Sequence, residues 1–323
     1  MIRALLWRDG HTETLSREAI ADAVTNRRDG GFVWVHIQSD KRSAEGLAEL
    51  PVDLPPTVQR ALIAGETRPR CDPVGSGVLV NLRAPKGDPN DAHDGDALVS
   101  LRLWAEKGML LSVAFRLSTI VEPVERLFEQ GRLHDPGDVI IALASLAAEQ
   151  LDTIIAALGD EVDNLECTID RNTPFSERRR VTALRSQAIS YRRFVVPQRQ
   201  ALERLAALPL DWLDAGERDQ VREASDRFAR MGEELESVRE RSAVLHEELT
   251  DLRSEKIDAR SLQIAIVAMI FLPLTFITGL IGMNVEGIPF KDEPWAFWSI
   301  AGLCLAIALG IGGWFAIVRW SER

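Results

Sequence analysis

The chain has 323 residues, 27% of them charged, and its 49 acidic side chains outnumber its 38 Lys and Arg residues, which gives a net charge of -11. A nucleic-acid-binding protein needs a basic surface to displace counterions, so this balance argues against that class and suits a protein that handles cations. Cys71, Cys167 and Cys304 are scattered and form no CxxC or Cys/His zinc pattern. This usage indicates a reduced protein without disulfides.

Residues 1–135 mix short β-rich runs with helical pieces and predict a cytoplasmic α/β domain. The predicted strands cover residues 2–7, 32–37, 77–82, 97–104 and 109–115. Pro55 and Pro56 predict the first turn of a short helix that ends near Gly65. The start of the chain has no apolar stretch typical of a cleaved signal peptide, so we expect this domain to stay in the cytoplasm.

Residues 136–260 change to long helices rich in Ala, Leu, Arg and Glu, with breaks at 172–174 and near 209–216. Apolar residues then recur at alternating spacings of three and four, at positions 221, 224, 228, 231, 235, 238, 242, 245, 249 and 252, where 242 is serine. This stripe is typical of a stalk helix packed as a coiled coil, within its own chain or on neighbouring copies. A single helix over 217–281 is predicted, about 97 Å long at 1.5 Å per residue.

Two segments, 261–285 and 294–318, contain no charged residue. A bilayer core about 30 Å thick needs roughly 20 apolar residues in a helix, so the sequence predicts spans at 261–283 and 295–318, with a loop at 284–294 and a tail at 319–323. Basic residues flank the outer ends of this pair: Arg253, Lys256, Arg260, Arg319 and Arg323. Because Lys291 is the one basic residue between the spans, both termini are expected in the cytoplasm.

The tripeptide Gly282-Met283-Asn284 closes the first predicted span, which reads FLPLTFITGLI over 271–281. In this position, before a short loop and a last span, it resembles the signature of the CorA superfamily of divalent-cation transporters. Three further segments resemble the zinc-transporter branch of that superfamily: GETRPR at 65–70, RRFVVPQR at 192–199 and GIP at 287–289. The resemblance covers nearly the whole chain.

This resemblance implies a homopentamer in the bacterial inner membrane. Each subunit would contribute an α/β domain to a cytoplasmic funnel, a long stalk helix and two transmembrane helices, the first of which lines a central pore. The implied cargo is Zn²⁺, with Cd²⁺, Ni²⁺ or Co²⁺ as further cargo, and the implied partners are membrane lipid and the transported divalent cation. Glu286 departs from the zinc branch, in which a small residue is expected, and matches magnesium-type members. Uptake of Mg²⁺ or Co²⁺ therefore stays open as the alternative.

The first span offers neutral oxygen ligands on an otherwise apolar helix: Ser261, Thr275, Thr278 and, at its end, Asn284. Neutral oxygens hold a cation weakly and allow its release, whereas a Cys/His cage would trap it. We expect a ring of Asn284 amides, beside Gly282 and Met283, to contact a largely hydrated cation transiently at the entrance.

Beyond that entrance, the cation is expected to pass Thr275 and a constriction at Leu272 before it meets Asp258 near the cytoplasmic exit. The loop outside the membrane carries three acids, Glu286, Asp292 and Glu293, against one lysine. Five copies would place about ten net negative charges around the entrance and concentrate cations there.

Each of these residues also has an ordinary structural interpretation. Asn284 alone is typical of a helix cap, and Thr275 alone is typical of helix packing. A membrane-anchored scaffold or sensor, assembled through the heptad helix, is the rival from another class and predicts no ion flux. The sequence has no GxxxxGK[ST] loop, and position 250 breaks an HExxH pattern that starts at His246. We therefore expect a transporter and not an enzyme, with no cofactor besides the transported cation.

Overall fold

A mixed β-sheet organises the N-terminal part of the chain. The computed structural model describes residues 1–39, 52, 54–65, 68–87, 98–169, 175–283 and 293–321. Within them the strands are β1 (Ile2–Arg8), β2 (His11–Thr14), β3 (Phe32–Gln38), β4 (Arg70–Val74), β5 (Gly77–Pro85), β6 (Leu98–Glu106) and β7 (Met109–Ala114). Their order across the sheet is β2-β1-β3-β7-β6-β5-β4. β3 and β7 run parallel, and the other neighbouring strands in the described residues pair antiparallel.

Helices make up the rest of the described chain. They are α1 (Ala19–Thr25) with a 3₁₀ turn at Asn26–Asp29, α2 (Pro56–Ile63), α3 (Val121–Glu129), α4 (Pro136–Thr168), α5 (Phe175–Ala207), α6 (Ala215–Ile281) and α7 (Pro294–Ser321). The predicted long helix is confirmed, because α6 ends at the expected residue and begins two residues earlier than expected. The predicted break at 172–174 lies outside the described residues, and the break near 209–216 is the loop between α5 and α6.

The sequence pattern predicts β1, β3, β5, β6 and β7 with ends shifted by up to three residues, and it misses β2 and β4. These two strands lie at the two edges of the sheet. β2 reads HTET and is mostly exposed, and β4 contains Pro73. Edge strands bury less side-chain surface, so neither shows the apolar run or alternation that identifies a strand in a sequence.

β3 runs through the middle of the sheet and is buried on both faces. Val33 and Val35 belong to a core cluster that includes residues of α1 and α2. On the other face, the rings of Phe32 and Trp34 lie 5.5 and 6.0 Å from the ring of Phe128 in α3. A strand covered on both faces reads as a continuous apolar run, which is why this one is recognisable in the sequence.

The chain divides into two compact units, Met1–His246 and Glu247–Arg323. In the first unit, α6 buries eight of the ten predicted stripe positions, those from 221 to 245. Ion pairs join α6 to its neighbours: Arg241 Nε lies 2.8 Å from Glu166 Oε1 of α4, and Arg192 Nε of α5 lies 2.9 Å from Glu236 Oε2. The stripe therefore packs largely within its own chain.

Three helices among the described residues are long and apolar enough to cross a membrane: α4, α6 and α7. The most apolar window of α4 is 50% buried by the rest of the protein, compared with 0% for α6 and 6% for α7. Val139, Ile140 and Leu143 of α4 are fully buried. α4 is therefore a core helix of the first unit, whereas the apolar C-terminal segment of α6 and the apolar surface of α7 lack cover within the subunit.

Candidate functional site

α6 ends at Ile281, and the predicted entrance tripeptide follows directly. The backbone N–H of Gly282 donates to the carbonyl oxygen of Thr278 at 2.9 Å, which continues the helical pattern by one residue. Met283 is half exposed, and Glu293 is exposed just before α7 begins. The other predicted entrance and loop residues lie outside the described residues: Asn284, Glu286 and Asp292.

The two threonine hydroxyls of the predicted pore segment bond to their own helix. Thr275 Oγ1 donates to the Phe271 carbonyl oxygen at 2.7 Å, and Thr278 Oγ1 donates to the Leu274 carbonyl oxygen at 2.9 Å. A hydroxyl has one proton to donate and keeps its lone pairs for accepting or for ligation. Each exposed threonine can therefore offer a neutral oxygen to a passing ion without leaving its helix.

One side of this part of α6 collects most of the predicted pore residues. At about 100° per residue, a single sector of about 80° holds Ser261, Ala268, Leu272, Thr275, Gly279 and Gly282, which we call the open face. The partly buried residues lie on the opposite side: Ile266, Ile270, Pro273, Leu274 and Ile277. Thr278 and Asp258 lie about 80° to either side of the centre of the open face. The helix thus brings Ser261, Leu272 and Thr275 to one face and separates the other two candidates from it.

Large apolar side chains cover the outside of the second unit. Leu272 is 72% exposed in the single subunit, and Phe276, Trp298 and Leu309 are similarly open. Monomeric soluble proteins rarely carry contiguous apolar surface on this scale. This unit therefore needs lipid or further protein around it. Among the described side chains of α7, Cys304 alone is buried, so it belongs to the packed side of that helix.

A family model described as CorA-like Mg²⁺ transporter protein matches residues 29–317, a range that includes β3 to β7, α6 and most of α7. The chain belongs to this CorA-like family. It is accordingly a membrane transporter and not an enzyme.

Known proteins similar to this chain agree with the CorA-like assignment. The chain is 30% identical over 293 residues to the zinc transport protein ZntB of Klebsiella pneumoniae, a match that covers 90% of this chain and 86% of that protein. The solved structure of the full-length CmaX protein is 28% identical and superposes with a TM-score of 0.80, covering 98% and 97% of the two chains. The CorA magnesium transporter from Methanocaldococcus jannaschii shares the fold at a TM-score of 0.78, with 15% identity and the same coverage.

Two segments that resemble CorA-type sequences have structural roles in the sheet. Nη2 of Arg102, a buried side chain, donates to the carbonyl oxygens of Ala64 and Gly65 at 2.8 and 2.7 Å, which anchors the start of the segment at 65–70. In the segment at 192–199, Gln198 Oε1 accepts from the Arg83 N–H at 2.6 Å while its Nε2 donates to the Arg83 carbonyl oxygen at 3.1 Å. These contacts stabilise the CorA-like fold and do not involve the predicted pore.

A second polar cluster lies in the first unit, at the start of α4 and of α6. Asp135, Asp138 and Glu217 place one carboxylate oxygen each within 4.8 Å of one another. Burial raises the pKa of Glu217 to about 8; the Asp214 N–H opposes this rise, and the nearby Asp135 carboxyl adds to it. This cluster is not among the residues predicted from the sequence, although D-x-x-D at 135–138 and D-x-x-E at 214–217 are recognisable helix-start patterns.

Proposed function

We propose that the protein transports divalent metal cations, Zn²⁺ foremost, through a central pore formed by identical subunits. The observation that carries this proposal is the family match over 29–317, together with an uncharged α6 end followed by Gly-Met-Asn. Relatives named zinc transport protein ZntB support zinc as the cargo. Cd²⁺, Ni²⁺ and Co²⁺ belong to the same proposal as further cargo.

The pore is proposed to be lined by the open face of α6. Gly282, Met283 and Asn284 form its entrance, and the Asn284 amides hold a still hydrated cation transiently. Inside, Thr275 and Ser261 offer neutral oxygens, Leu272 narrows the passage, and Thr278 and Asp258 act from its sides. Weak, successive oxygen contacts suit conduction, because an ion must leave each site as readily as it enters.

Electrostatics favour inward movement in this proposal. A membrane potential of about 100 mV, negative inside, is worth about 2.3 kcal/mol per charge, hence roughly 4.6 kcal/mol for a divalent cation. Acids Glu286, Asp292 and Glu293 would raise the local cation concentration at the entrance. Uptake then needs no nucleotide.

The proposed assembly is a homopentamer in the bacterial inner membrane with both termini in the cytoplasm. Each subunit would comprise an α/β domain (1–135), a helical stalk region (136–260), spans at 261–283 and 295–318, a loop at 284–294 and a tail at 319–323. The partial burial of α4 supports counting two spans and not three. Neighbouring subunits and lipid would cover the apolar surface of the second unit.

Substitution of Asn284 by alanine tests the entrance. In liposomes loaded with a zinc-sensitive dye, we expect Asn284→Ala to lose most of the zinc influx, because the first ligand ring is removed. Ser299→Ala on α7 is the matched control and should conduct like the unmodified protein. Unchanged influx in Asn284→Ala would reject the entrance, and absence of flux in the unmodified protein would favour a membrane-anchored scaffold.

Mg²⁺ is the second candidate cargo, favoured by Glu286 and by the description of the family model. Oxygen-only ligands also suit a hard, strongly hydrated ion. Competition decides between the two: if zinc is the cargo, a large excess of Mg²⁺ should leave dye-reported zinc influx nearly unchanged. Suppression of that influx by Mg²⁺ would assign the pore to magnesium.

A further inference from the structure

The N-termini of two helices lie close together in the first unit, and each is capped by acidic side chains. At the start of α4, Asp138 N–H donates to Asp135 Oδ1 at 2.9 Å. At the start of α6, Glu217 N–H donates to Asp214 Oδ1 at 2.7 Å, and Asp214 N–H donates back to Glu217 Oε2 at 2.6 Å. This reciprocal pair is a capping box, which satisfies free N–H groups of the first helical turn.

The capping box uses one oxygen of Glu217 and leaves the other without a donor. Glu217 is 93% buried, since its side chain retains 7% exposure. Among the described residues, its Oε1 atom is inaccessible to solvent and accepts no hydrogen bond from an N–H group, and the Asp135 carboxyl lies nearby. A buried carboxylate oxygen without a partner is costly, so a positive ligand or a proton is needed at this point.

Oε1 of Glu217 is directed at the start of α4. It lies so close to Gly137 that a Cβ atom there would overlap it, and glycine is therefore required for this approach. Asp135 and Asp138 flank Gly137, and the three carboxylates converge within 4.8 Å of one another. Around a divalent cation with M–O distances of about 2.0 to 2.4 Å, opposite ligand oxygens are about 4.0 to 4.8 Å apart. The three carboxylates are thus close enough together to be ligands of one ion.

A cavity of about 840 Å³ adjoins this cluster and is lined by Asp135 and Glu217. Its other charged or titratable lining residues are Arg27, Glu106, Lys107, His134, Asp211 and Asp214. Arg27 is engaged in an ion pair with Glu106, so it does not neutralise the cluster. The cavity has room for an ion with several water ligands and carries an excess of acids.

We propose that Asp135, Asp138 and Glu217 form a binding site for a hard divalent cation of the Mg²⁺ or Mn²⁺ type. Three carboxylates supply half of an octahedral shell, and water in the cavity supplies the rest. The absence of Cys among these ligands fits hard cations better than Zn²⁺. The bound ion links the start of α4 to the start of α6. This site is independent of the proposed pore.

Mn²⁺ titration of the full-length, detergent-solubilised protein tests the site, because free Mn²⁺ is counted directly by its paramagnetic resonance signal. Glu217→Gln retains the capping box, in which glutamine also serves, but removes the ligand charge. We expect this variant to bind one Mn²⁺ fewer per chain, or to bind it about tenfold more weakly, the cost that even an outer ligand carries. Glu203→Gln, an exposed acid on α5, should bind like the unmodified chain.

If Glu217→Gln and the unmodified chain bind the same number of Mn²⁺ ions with the same affinity, the proposal is overturned. A proton shared with a neighbouring carboxyl would then be what stabilises Glu217. A melting curve for each variant shows whether it is folded. If Glu217→Gln unfolds, Asp138→Asn provides the same comparison at a partly exposed ligand. Any Mn²⁺ that binds in the pore binds equally to all variants, so it does not affect the comparison between them. A negative result for this site therefore says nothing about transport.

Discussion

His36 is a neutral imidazole in the middle of the sheet. Its Nδ1 lies 2.8 Å from Ser112 Oγ, which also accepts from Trp34 Nε1 at 2.9 Å. Burial lowers the pKa of His36 to about 4, and a bond with Gln38 only partly opposes the shift. Between about pH 6.5 and 4, His36 is therefore protonated in the unfolded chain but stays neutral in the native protein. Stability should fall as the pH is lowered through this window.

Substitution of His36 by asparagine should remove this part of the pH dependence. Asparagine can bond to Ser112 and does not titrate. Relative to His36→Asn, the unmodified protein should lose up to about 3 kcal/mol of unfolding free energy between pH 7 and 4. Thermal unfolding of the solubilised protein at several pH values measures the difference. Parallel curves for the two proteins would show that His36 is not the titrating group.

Gln198 completes the hydrogen bonding of β5. β4 pairs with β5 only as far as Asn81, and the Gln198 amide then takes both backbone groups of Arg83. Gln198→Leu keeps the size of the side chain and leaves a buried N–H and C=O without partners. We expect a loss of about 2 kcal/mol or more in unfolding free energy. Gln187→Leu, at an exposed site on the same helix, should cost less than about 0.5 kcal/mol. Equal effects would refute this role.

At the scale of whole elements, the open face of α6 makes a directional prediction. Ala268 lies at its centre, and Val267 points about 100° away. If the open face lines the pore, Ala268→Trp should block it and reduce zinc influx about tenfold or more, because a bulky ring fills a narrow passage. Val267→Trp adds the same bulk beside the face and should conduct. The reverse ranking, with matched membrane levels, would mean that another face lines the pore.

Sequence patterns predict those elements in which burial produces a regular spacing, or an unbroken run, of apolar residues. Strand β3 is covered on both faces, and the stripe on α6 is buried at alternating spacings of three and four residues, so both are recognisable. β4 lacks such a signal because it is a short edge strand with Pro73. The cluster of Asp135, Asp138 and Glu217 could not be predicted from the sequence, for a different reason. It depends on tertiary contact between two helix starts that are about 80 residues apart in the chain.

In the predicted pore, too, some features follow from the sequence and others do not. Helical phase follows from residue spacing alone, so Ser261, Leu272 and Thr275 are readily assigned to one face. Thr278 was included for its chemistry, although its spacing from Thr275 places it outside that face. The entrance at Asn284 and the loop acids Glu286 and Asp292 lie outside the described residues. Their roles remain predictions that the flux measurements test.

At the scale of the molecule, the exposed apolar surface of α6 and α7 predicts assembly in the membrane. Five chains of 35.9 kDa amount to about 180 kDa of protein. Native mass spectrometry of the solubilised protein should give that value, because a pore enclosed by one open face per subunit requires several copies around an axis. A protein mass of one or two chains would remove the central pore and leave the fold and family unaffected.

In the proposed assembly several α/β units lie close together, and exposed sheet edges would then be able to pair between subunits. An exposed edge strand with free backbone N–H and C=O groups can pair with strands of adjacent molecules, which leads to aggregation. Here β2 is only four residues long and polar, and proline interrupts the donor row of β4. The remaining stretch of β5 is occupied by the amide of Gln198. Subunits can therefore sit side by side at high local concentration without their sheets fusing.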